Sequence, residues 1–205
     1  MNNAHEQSLK DLRLTLKRAP APEQVQVITL EKWRVLFYRL GLIGEYPNKK
    51  IGYGTLSARH QAGGILITGA QTGHLPGLQA HHYTKVTEAD VKRNLLVAEG
   101  LIPPPRDALS HFHLYQNTLQ AKYIFQIHNK GMWKMLKRSE NVEYRRNDFS
   151  NYHEISSTLH QEIKTKNVSN LLCSEGDWGI LSIASNVDDA GKNILNLYRS
   201  LRFHQ

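Results

Sequence analysis

The sequence has a single cysteine, Cys173, and lacks any long apolar run. One cysteine excludes a disulfide within the chain, which favours a reducing compartment. Because Cys173 follows two leucines, it fits a small core residue better than a nucleophile. No segment approaches the roughly 20 apolar residues that span a bilayer, and the first 25 residues mix charges where a signal peptide has an apolar core. We therefore expect a cytoplasmic protein without a membrane partner.

Recognised nucleic-acid-binding motifs are also missing, although the chain is basic. Lys and Arg number 26 against 18 Asp and Glu, which gives a net charge of +8. Such a charge favours anionic partners, among them phosphate esters, nucleic acid and acidic surfaces. The basic residues are dispersed, and there is no zinc finger, ribonucleoprotein motif or clear helix-turn-helix. Charge alone supports a nucleic-acid-binding module, and a solvated basic surface explains it more simply.

The length and the hydrophobic pattern predict one α/β domain. With 205 residues and 40% hydrophobic content, the chain can bury a sizeable core. A helical stripe runs from Ile28 to Leu40 and stops at Gly41. Several predicted strands follow one another without an intervening helix, which argues against a purely parallel sheet and favours a mixed sheet flanked by helices. We predict a domain over 28–205, preceded by an N-terminal extension (1–27) that contains a short edge strand.

The later part of the chain continues the mixture of helices and strands. A polar loop is predicted at 139–150, followed by an amphipathic helix marked by Ile155, Leu159 and Ile163. Two strands and a last helix follow, and Asn186 is placed to cap that helix.

The stretch from Pro103 to Asn129 carries the main chemical candidates. Its prolines block a helix upstream, so Asp107 stands where a helix can begin. Tyr123–His128 is a β-branched and aromatic run typical of a buried strand, and its alternation puts Gln126 and His128 on one side. An acid at a helix start beside a polar pair at a strand end is an active-site arrangement. The alternative is a capping Asp107 and a hydrogen-bonded strand histidine.

Two loops rich in small residues follow consecutive predicted strands. The first lies in Ile51–Arg59 and contains Gly54 and Thr55; the second is Gly69–Gly73, which contains Thr72. Exposed backbone N–H groups and hydroxyls in such loops can cradle phosphate. A tight turn uses the same residue types, so each loop alone is a weak indication, and the two together favour an anion site.

These motifs, taken in order, resemble the class II aldolase/adducin family over roughly residues 28 to 203. The family elements Gly-x-Gly-Asn-x-Ser-x-Arg, Ile-Thr-Pro-Ser/Thr-Gly, Ser-Ser-Glu, His-x-His and His-Gly correspond to Gly52–Arg59, Ile67–Gly73, Pro105–Asp107, Gln126–His128 and Ser174–Gly176. The first has Thr55 for Asn, and the second contains an insertion. His111 and Tyr115 also fall at the matching spacing after the third element.

The resemblance implies a three-layer α/β/α fold with a mixed, mostly antiparallel sheet, and a cyclic homotetramer. In active members of the family, three histidines hold zinc, which polarises a hydroxy-ketone oxygen, and an acid shuttles a proton. By position, the resemblance makes Asp107 the acid, and Gln126, His128 and Glu175 the metal ligands. It places phosphate or another anion at Gly54, Thr55, Thr72, Gly73 and Arg106.

The sequence departs from the family at the metal ligands. Gln126 and Glu175 replace two of the histidines, and an amide oxygen is a poor zinc donor. A divalent metal remains the implied cofactor, with Mn or Mg suited as well as Zn. Arg106 stands where serines would donate to phosphate, and its guanidinium can replace them or pair with Asp107.

Two functional hypotheses follow. The first is a divergent, metal-dependent lyase or isomerase acting on a small phosphorylated or carboxylated sugar-like substrate. The second is a non-catalytic, adducin-like oligomeric binding or scaffold module that has lost the metal site.

Overall fold

A computed structural model of the protein describes residues 12–138, 169–173 and 179–202. In these ranges the helices are α1 (Gln24–Arg39), α2 (Ala108–Asn117), α3 (Lys130–Arg138) and α4 (Val187–Arg202), with a 3-10 turn at Ala80–His82. The strands are β1 (Arg13–Arg18), β2 (Gly44–Tyr46), β3 (Ile51–Tyr53), β4 (Thr55–Arg59), β5 (Ile65–Thr68), β6 (Tyr83–Asp90), β7 (Leu95–Gly100), β8 (Tyr123–His128), β9 (Ser169–Cys173) and β10 (Gly179–Ala184). Across those ranges, none of the helices has the length and apolarity to cross a membrane.

Eight of these strands form one sheet in the order β1-β7-β6-β5-β4-β8-β10-β9. The pair β1–β7 is parallel, and the other neighbouring pairs are antiparallel. The predicted mixed, mostly antiparallel sheet is therefore confirmed. Strand β1 is the edge strand expected near the N-terminus, and it places part of the predicted extension (1–27) in the sheet.

Helices cover both faces of the sheet, as the three-layer prediction requires. On one face α1, α3 and α4 pack with Phe125 and Ile127 of β8. On the other face α2 packs with Ile124 of the same strand and with Ile183 of β10. Because strand side chains alternate, neighbouring residues of β8 enter different layers. A polar residue of β8 that is two or four positions from Ile124 therefore faces α2.

Local sequence explains where the helices begin and end. Leu30, Trp33 and Phe37 form the buried stripe of α1, and Gly41 follows with a positive φ of 69°, the conformation typical of a helix end. At α4, the backbone N–H of Asp189 donates to the Asn186 side chain, so the predicted cap is present.

Two local predictions were wrong. The sequence of Gly44–Lys50 predicts a loop, but the segment contains β2, which pairs with β3 in a small separate sheet. The adjacent His81 and His82 are predicted to face opposite ways on a strand, but they lie in the 3-10 turn with ring centroids 4.0 Å apart. The loop predicted at 139–150 and the helix predicted around Ile155, Leu159 and Ile163 lie outside the described residues.

The junction between β3 and β4 requires glycine. Gly54 has φ +85°, in the left-handed region that L side chains avoid. A Cβ at this position would lie 2.6 Å from Cγ1 of Ile43, closer than packed atoms approach. Gly54 therefore sets the path of the backbone into β4, which begins at Thr55.

Gly54→Ala should destabilise the protein more than Gly63→Ala, a matched control with φ +84° and open space around the new Cβ. Left-handed strain costs about 1–2 kcal/mol in both variants, and overpacking against Ile43 adds about 1–3 kcal/mol in the first. Urea unfolding measures the difference. Equal losses in the two variants would show that the contact with Ile43 has no energetic weight.

Candidate functional site

The candidate site lies where β4 and β8 pair on the α2 face of the sheet. Thr55 stands opposite Gln126, and Ser57 stands opposite Ile124. Since Ile124 packs on α2, Thr55, Ser57 and Gln126 also face that helix. His128, two residues beyond Gln126, has the same parity, as the sequence predicted. All three of Thr55, Ser57 and Gln126 are buried, so their polar atoms need partners.

Asp107 occupies the N-cap position of α2, but its side chain does not cap the helix. Its carboxylate accepts a hydrogen bond from Thr55 Oγ1 at 3.0 Å, and its side chain makes no capping hydrogen bond. The capping part of the alternative is therefore wrong, whereas its hydrogen-bonded strand histidine is present, since His128 contacts Tyr46 and Gln126. The carboxylate lies over the start of β4, and the opposite partner of Thr55 on the next strand is Gln126.

Gln126 lies between two histidines. Its Oε1 is 3.2 Å from Nε2 of His111, and its Nε2 is 3.4 Å from Nε2 of His128. Asp107 and His111 are four residues apart at the start of α2, so they lie on one helix face. The sequence marked His111 by its spacing after the Pro105–Asp107 element, without giving it a role in the site.

A second set of hydrogen bonds continues from His111 into the core. Ser57 Oγ lies 2.7 Å from Nδ1 of His111 and 3.0 Å from the hydroxyl of Tyr115. The Arg59 guanidinium donates to the carbonyl oxygen of Tyr115 at 2.7 Å and to that of Thr118 at 3.0 Å, and it lies over the Tyr115 ring. This set fixes α2 against β4 and β8.

The two buried titratable side chains of α2, His111 and Tyr115, are neutral at neutral pH. Burial lowers the pKa of His111 to about 4, and the hydrogen bond with Gln126 only partly opposes this effect. Burial also raises the pKa of the Tyr115 hydroxyl. At neutral pH the polar chain through the site therefore contains uncharged rings, which avoids the cost of a buried charge.

The hairpin β2–β3 brings two tyrosines to His128. The Tyr46 hydroxyl is 3.5 Å from Nδ1 of His128, and the ring centroids of Tyr46 and Tyr53 are 4.7 Å apart. The Tyr53 centroid is 5.8 Å from that of His128. Sequence reasoning missed both tyrosines, because it placed this segment in a loop.

The second small-residue loop is held from α1. Thr72 Oγ1 donates to the carbonyl of Gly69 at 2.9 Å, and Nη2 of the buried Arg34 donates to the carbonyl of Thr72 at 2.9 Å. Gly73 packs against the hairpin, since a Cβ there would collide with the Gly44 carbonyl oxygen. These contacts explain the small residues by packing, and the anion-binding roles of Thr72 and Gly73 stay predictions.

Arg106 lies between the proline run and Asp107. Its Nη1 is buried and has no hydrogen-bond partner among the described residues. The carbonyl of Pro103 accepts from the N–H of Ala70 at 2.8 Å, which draws the Arg106 segment to the loop of Thr72. Two of the three segments that carry the predicted anion-binding residues, those of Thr72 and Arg106, are thus joined by a backbone hydrogen bond.

The described residues do not fit the metal centre that the resemblance implies. Among them no group of three or more His, Cys, Asp or Glu side chains can hold an ion. Gln126 and His128 lie together, as predicted, but the Gln126 amide is hydrogen-bonded to an imidazole on each side. Glu175, the third predicted ligand, lies outside the described residues. Structural and catalytic zinc sites use at least three strong protein donors, and one imidazole with one amide falls short.

The depressed pKa of His111 should make the protein less stable in mild acid. Well above pH 6.5 the ring is neutral in the folded and the unfolded chain, so it makes no pH-dependent contribution to the free energy of unfolding. As the pH falls from 6.5 to about 4, the unfolded chain takes up a proton that the folded chain refuses, which removes about 3 kcal/mol. Urea titrations of wild type and His111→Gln across this range measure the effect. A His111→Gln curve as steep as that of wild type would contradict it.

Comparison with known proteins identifies the fold. No family model matches the sequence, and no curated protein does. Among solved structures, YgbL from Escherichia coli, a candidate aldolase, epimerase or decarboxylase, superposes with a TM-score of 0.63 at 16% identity, over 88% of each chain. The l-fuculose-1-phosphate aldolase of Thermus thermophilus gives 0.55 at 16% identity, over 85% of this chain and 90% of that one.

An aldolase II superfamily protein from Pseudomonas syringae gives a TM-score of 0.62 at 14% identity, over 90% of this chain and 75% of that one. At these identities the superpositions establish architecture, and they agree with the order of motifs in the sequence. The resemblance is confirmed at the level of the fold: the chain has the three-layer fold of the class II aldolase superfamily.

Proposed function

We propose that the protein binds a small phosphorylated or carboxylated sugar-like molecule beside the paired ends of β4 and β8, and acts on it as a divergent lyase or isomerase. The observation that carries this proposal is the grouping of a carboxylate, an amide and an imidazole at one strand end. Asp107 contacts Thr55, the cross-strand partner of Gln126, and Gln126 contacts His128. Such a group combines a proton carrier with hydrogen-bonding positions for substrate oxygens.

The anionic part of the ligand is assigned to Arg106. A buried guanidinium N–H without an acceptor is costly, and among the residues that the structure describes the Nη1 of Arg106 has no acceptor. A phosphate or carboxylate satisfies it, because its oxygens accept two parallel hydrogen bonds from guanidinium. Arg106 is the neighbour of Asp107 in the chain, so an anion there places the rest of a small ligand beside the carboxylate.

Asp107 is the group that moves the proton. A carboxylate beside a hydroxy-ketone or hydroxy-acid can accept a proton from the carbon or hydroxyl next to the carbonyl group. Negative charge then develops on the carbonyl oxygen, where the N–H groups of Gln126 or Arg106 can stabilise it. The proton transfer uses only these side chains, and no step is assigned to a metal.

A second candidate is a binding module without catalysis. The observation that favours it is the Gln126 amide itself, which spans His111 and His128 at the position where the resemblance expects a metal ligand. A site whose side chains are hydrogen-bonded to one another in this way can bind a ligand without activating it.

Binding is tested with dihydroxyacetone phosphate, a small phosphorylated hydroxy-ketone, by isothermal titration calorimetry. Arg106→Gln should weaken binding by about 10- to 100-fold, since a charge-assisted hydrogen bond is worth about 1.5–3 kcal/mol. Arg93→Gln is the matched control, because Arg93 is exposed and pairs with Asp90. Equal affinities of wild type and Arg106→Gln would remove Arg106 from the site, and absence of binding to wild type would contradict a site for phosphorylated hydroxy-ketones.

Catalysis is tested by deuterium exchange from D₂O into the carbon-bound hydrogens of dihydroxyacetone phosphate, followed by NMR. Asp107→Asn should slow exchange by about 100-fold or more, the usual contribution of a positioned acid or base, while still binding the ligand. Elemental analysis of untagged protein, run in parallel, shows whether exchange follows stoichiometric metal. Binding without exchange above the solution rate would establish the non-catalytic module instead.

A further inference from the structure

We propose that the Gln126 amide holds His111 and His128 in opposite neutral tautomers, with the proton on Nε2 in His111 and on Nδ1 in His128. His128 then presents an unprotonated Nε2 within the candidate site, and Gln126 and Tyr46 act as the positioning residues that keep it so. The inference about the tautomers does not depend on the proposed function; its consequence for ligands does.

The amide has one acceptor end and one donor end, and this asymmetry decides both rings. Oε1 of Gln126 faces Nε2 of His111 at 3.2 Å, and a carbonyl oxygen only accepts. The Nε2 of His111 therefore carries a hydrogen. The amide nitrogen faces Nε2 of His128 at 3.4 Å, and an NH₂ group only donates. The Nε2 of His128 therefore has a lone pair.

The contacts on the core side agree with this direction. A neutral ring with the proton on Nε2 accepts at Nδ1, and Nδ1 of His111 lies 2.7 Å from Ser57 Oγ. On this assignment the serine hydroxyl donates to the ring at 2.7 Å in place of the Ile124 carbonyl oxygen at 3.3 Å. The serine oxygen then accepts from the Tyr115 hydroxyl at 3.0 Å. On this assignment the Tyr115 hydroxyl donates to Ser57 in place of the Lys122 carbonyl oxygen at 3.4 Å, and each step from Tyr115 to Gln126 pairs one donor with one acceptor.

The contacts on the outer side agree as well. With Nε2 unprotonated, neutral His128 carries its proton on Nδ1, and the Tyr46 hydroxyl oxygen lies 3.5 Å from that atom. This bond is long, and the Tyr53 ring beside His128 supports the orientation of the imidazole. A partner on the second nitrogen is the usual device by which a protein chooses a histidine tautomer.

The arrangement selects for hydroxyl groups. The 3.4 Å contact between Gln126 and His128 is at the long end for a hydrogen bond, and a hydroxyl can approach to about 2.8 Å. A ligand hydroxyl placed between the two side chains donates to Nε2 of His128 and accepts from the amide N–H. On the proposed function, this position takes a hydroxyl of the sugar-like ligand, and His128 can accept its proton.

The tautomers are tested on the whole protein without ligand, labelled with ¹⁵N-histidine. Two-dimensional ¹H–¹⁵N spectra distinguish protonated from unprotonated ring nitrogens, at a pH where the shifts show neutral rings. His111→Gln and His128→Gln identify the signals. We expect a proton on Nε2 of His111 and on Nδ1 of His128.

Two variants separate the positioning residues. Gln126→Glu presents oxygens to both rings, so Nε2 of His128 should gain a proton while His111 keeps its own. Tyr46→Phe removes the hydroxyl that lies 3.5 Å from Nδ1, so the proton on Nδ1 should exchange faster with solvent. Tyr53→Phe is the matched control, because the Tyr53 hydroxyl contacts the Gly41 carbonyl and should leave the His128 signals unchanged.

The wild-type spectrum decides the proposal even if Gln126→Glu does not fold. A proton on Nε2 of His128, or on Nδ1 of His111, overturns it. If the tautomers are as stated and dihydroxyacetone phosphate does not bind, the proposed function fails and the inference stands. If the ligand binds and the tautomers are reversed, the inference fails and the proposed function stands.

Discussion

The register between β4 and β8 is the constraint on which the site depends. It places Thr55 opposite Gln126, so that the hydroxyl holding Asp107 and the amide between the histidines share one face of the sheet. A shift of one residue would turn these side chains toward α1 and the apolar layer. That layer buries Phe125 and Ile127 on the same strand, so the shift would also bring two large apolar residues to the α2 face. Core packing thereby fixes the position of the polar site.

Helix α2 completes the arrangement by its periodicity. Asp107, His111 and Tyr115 are each four residues apart, and all three contact polar atoms of β4 or β8. At neutral pH the rings of His111 and Tyr115 are uncharged at the buried end, and Asp107 places a carboxyl group at the other end. Because buried polar groups in such a chain satisfy one another, the site has a defined shape before any ligand enters it.

Some parts of this structure could be predicted from the sequence and others could not. The helical stripe of α1, the apolar run of β8 and the cap of α4 depend on neighbouring residues, so their patterns predicted them. Strand alternation predicted that Gln126 and His128 lie on the same face of β8. The hairpin β2–β3 was not predicted, because strands of three residues show almost no periodicity. The contact of Tyr46 with His128 joins residues 82 positions apart, and no local pattern encodes it. The motif spacing singled out His111, but its contact with Gln126 depends on the facing strand.

The same contacts indicate why glutamine at position 126 changes what the site can accept. A metal ion bound at Nε2 of His128 would displace the amide N–H from that nitrogen and leave it without an acceptor, which costs free energy in a buried position. Coordination must offset that loss with fewer than the three strong donors of a zinc centre among the described residues. A hydroxyl both donates and accepts, so it satisfies the imidazole and the amide together. Donor and acceptor matching alone therefore favours a polyhydroxylated ligand over a bare cation between Gln126 and His128.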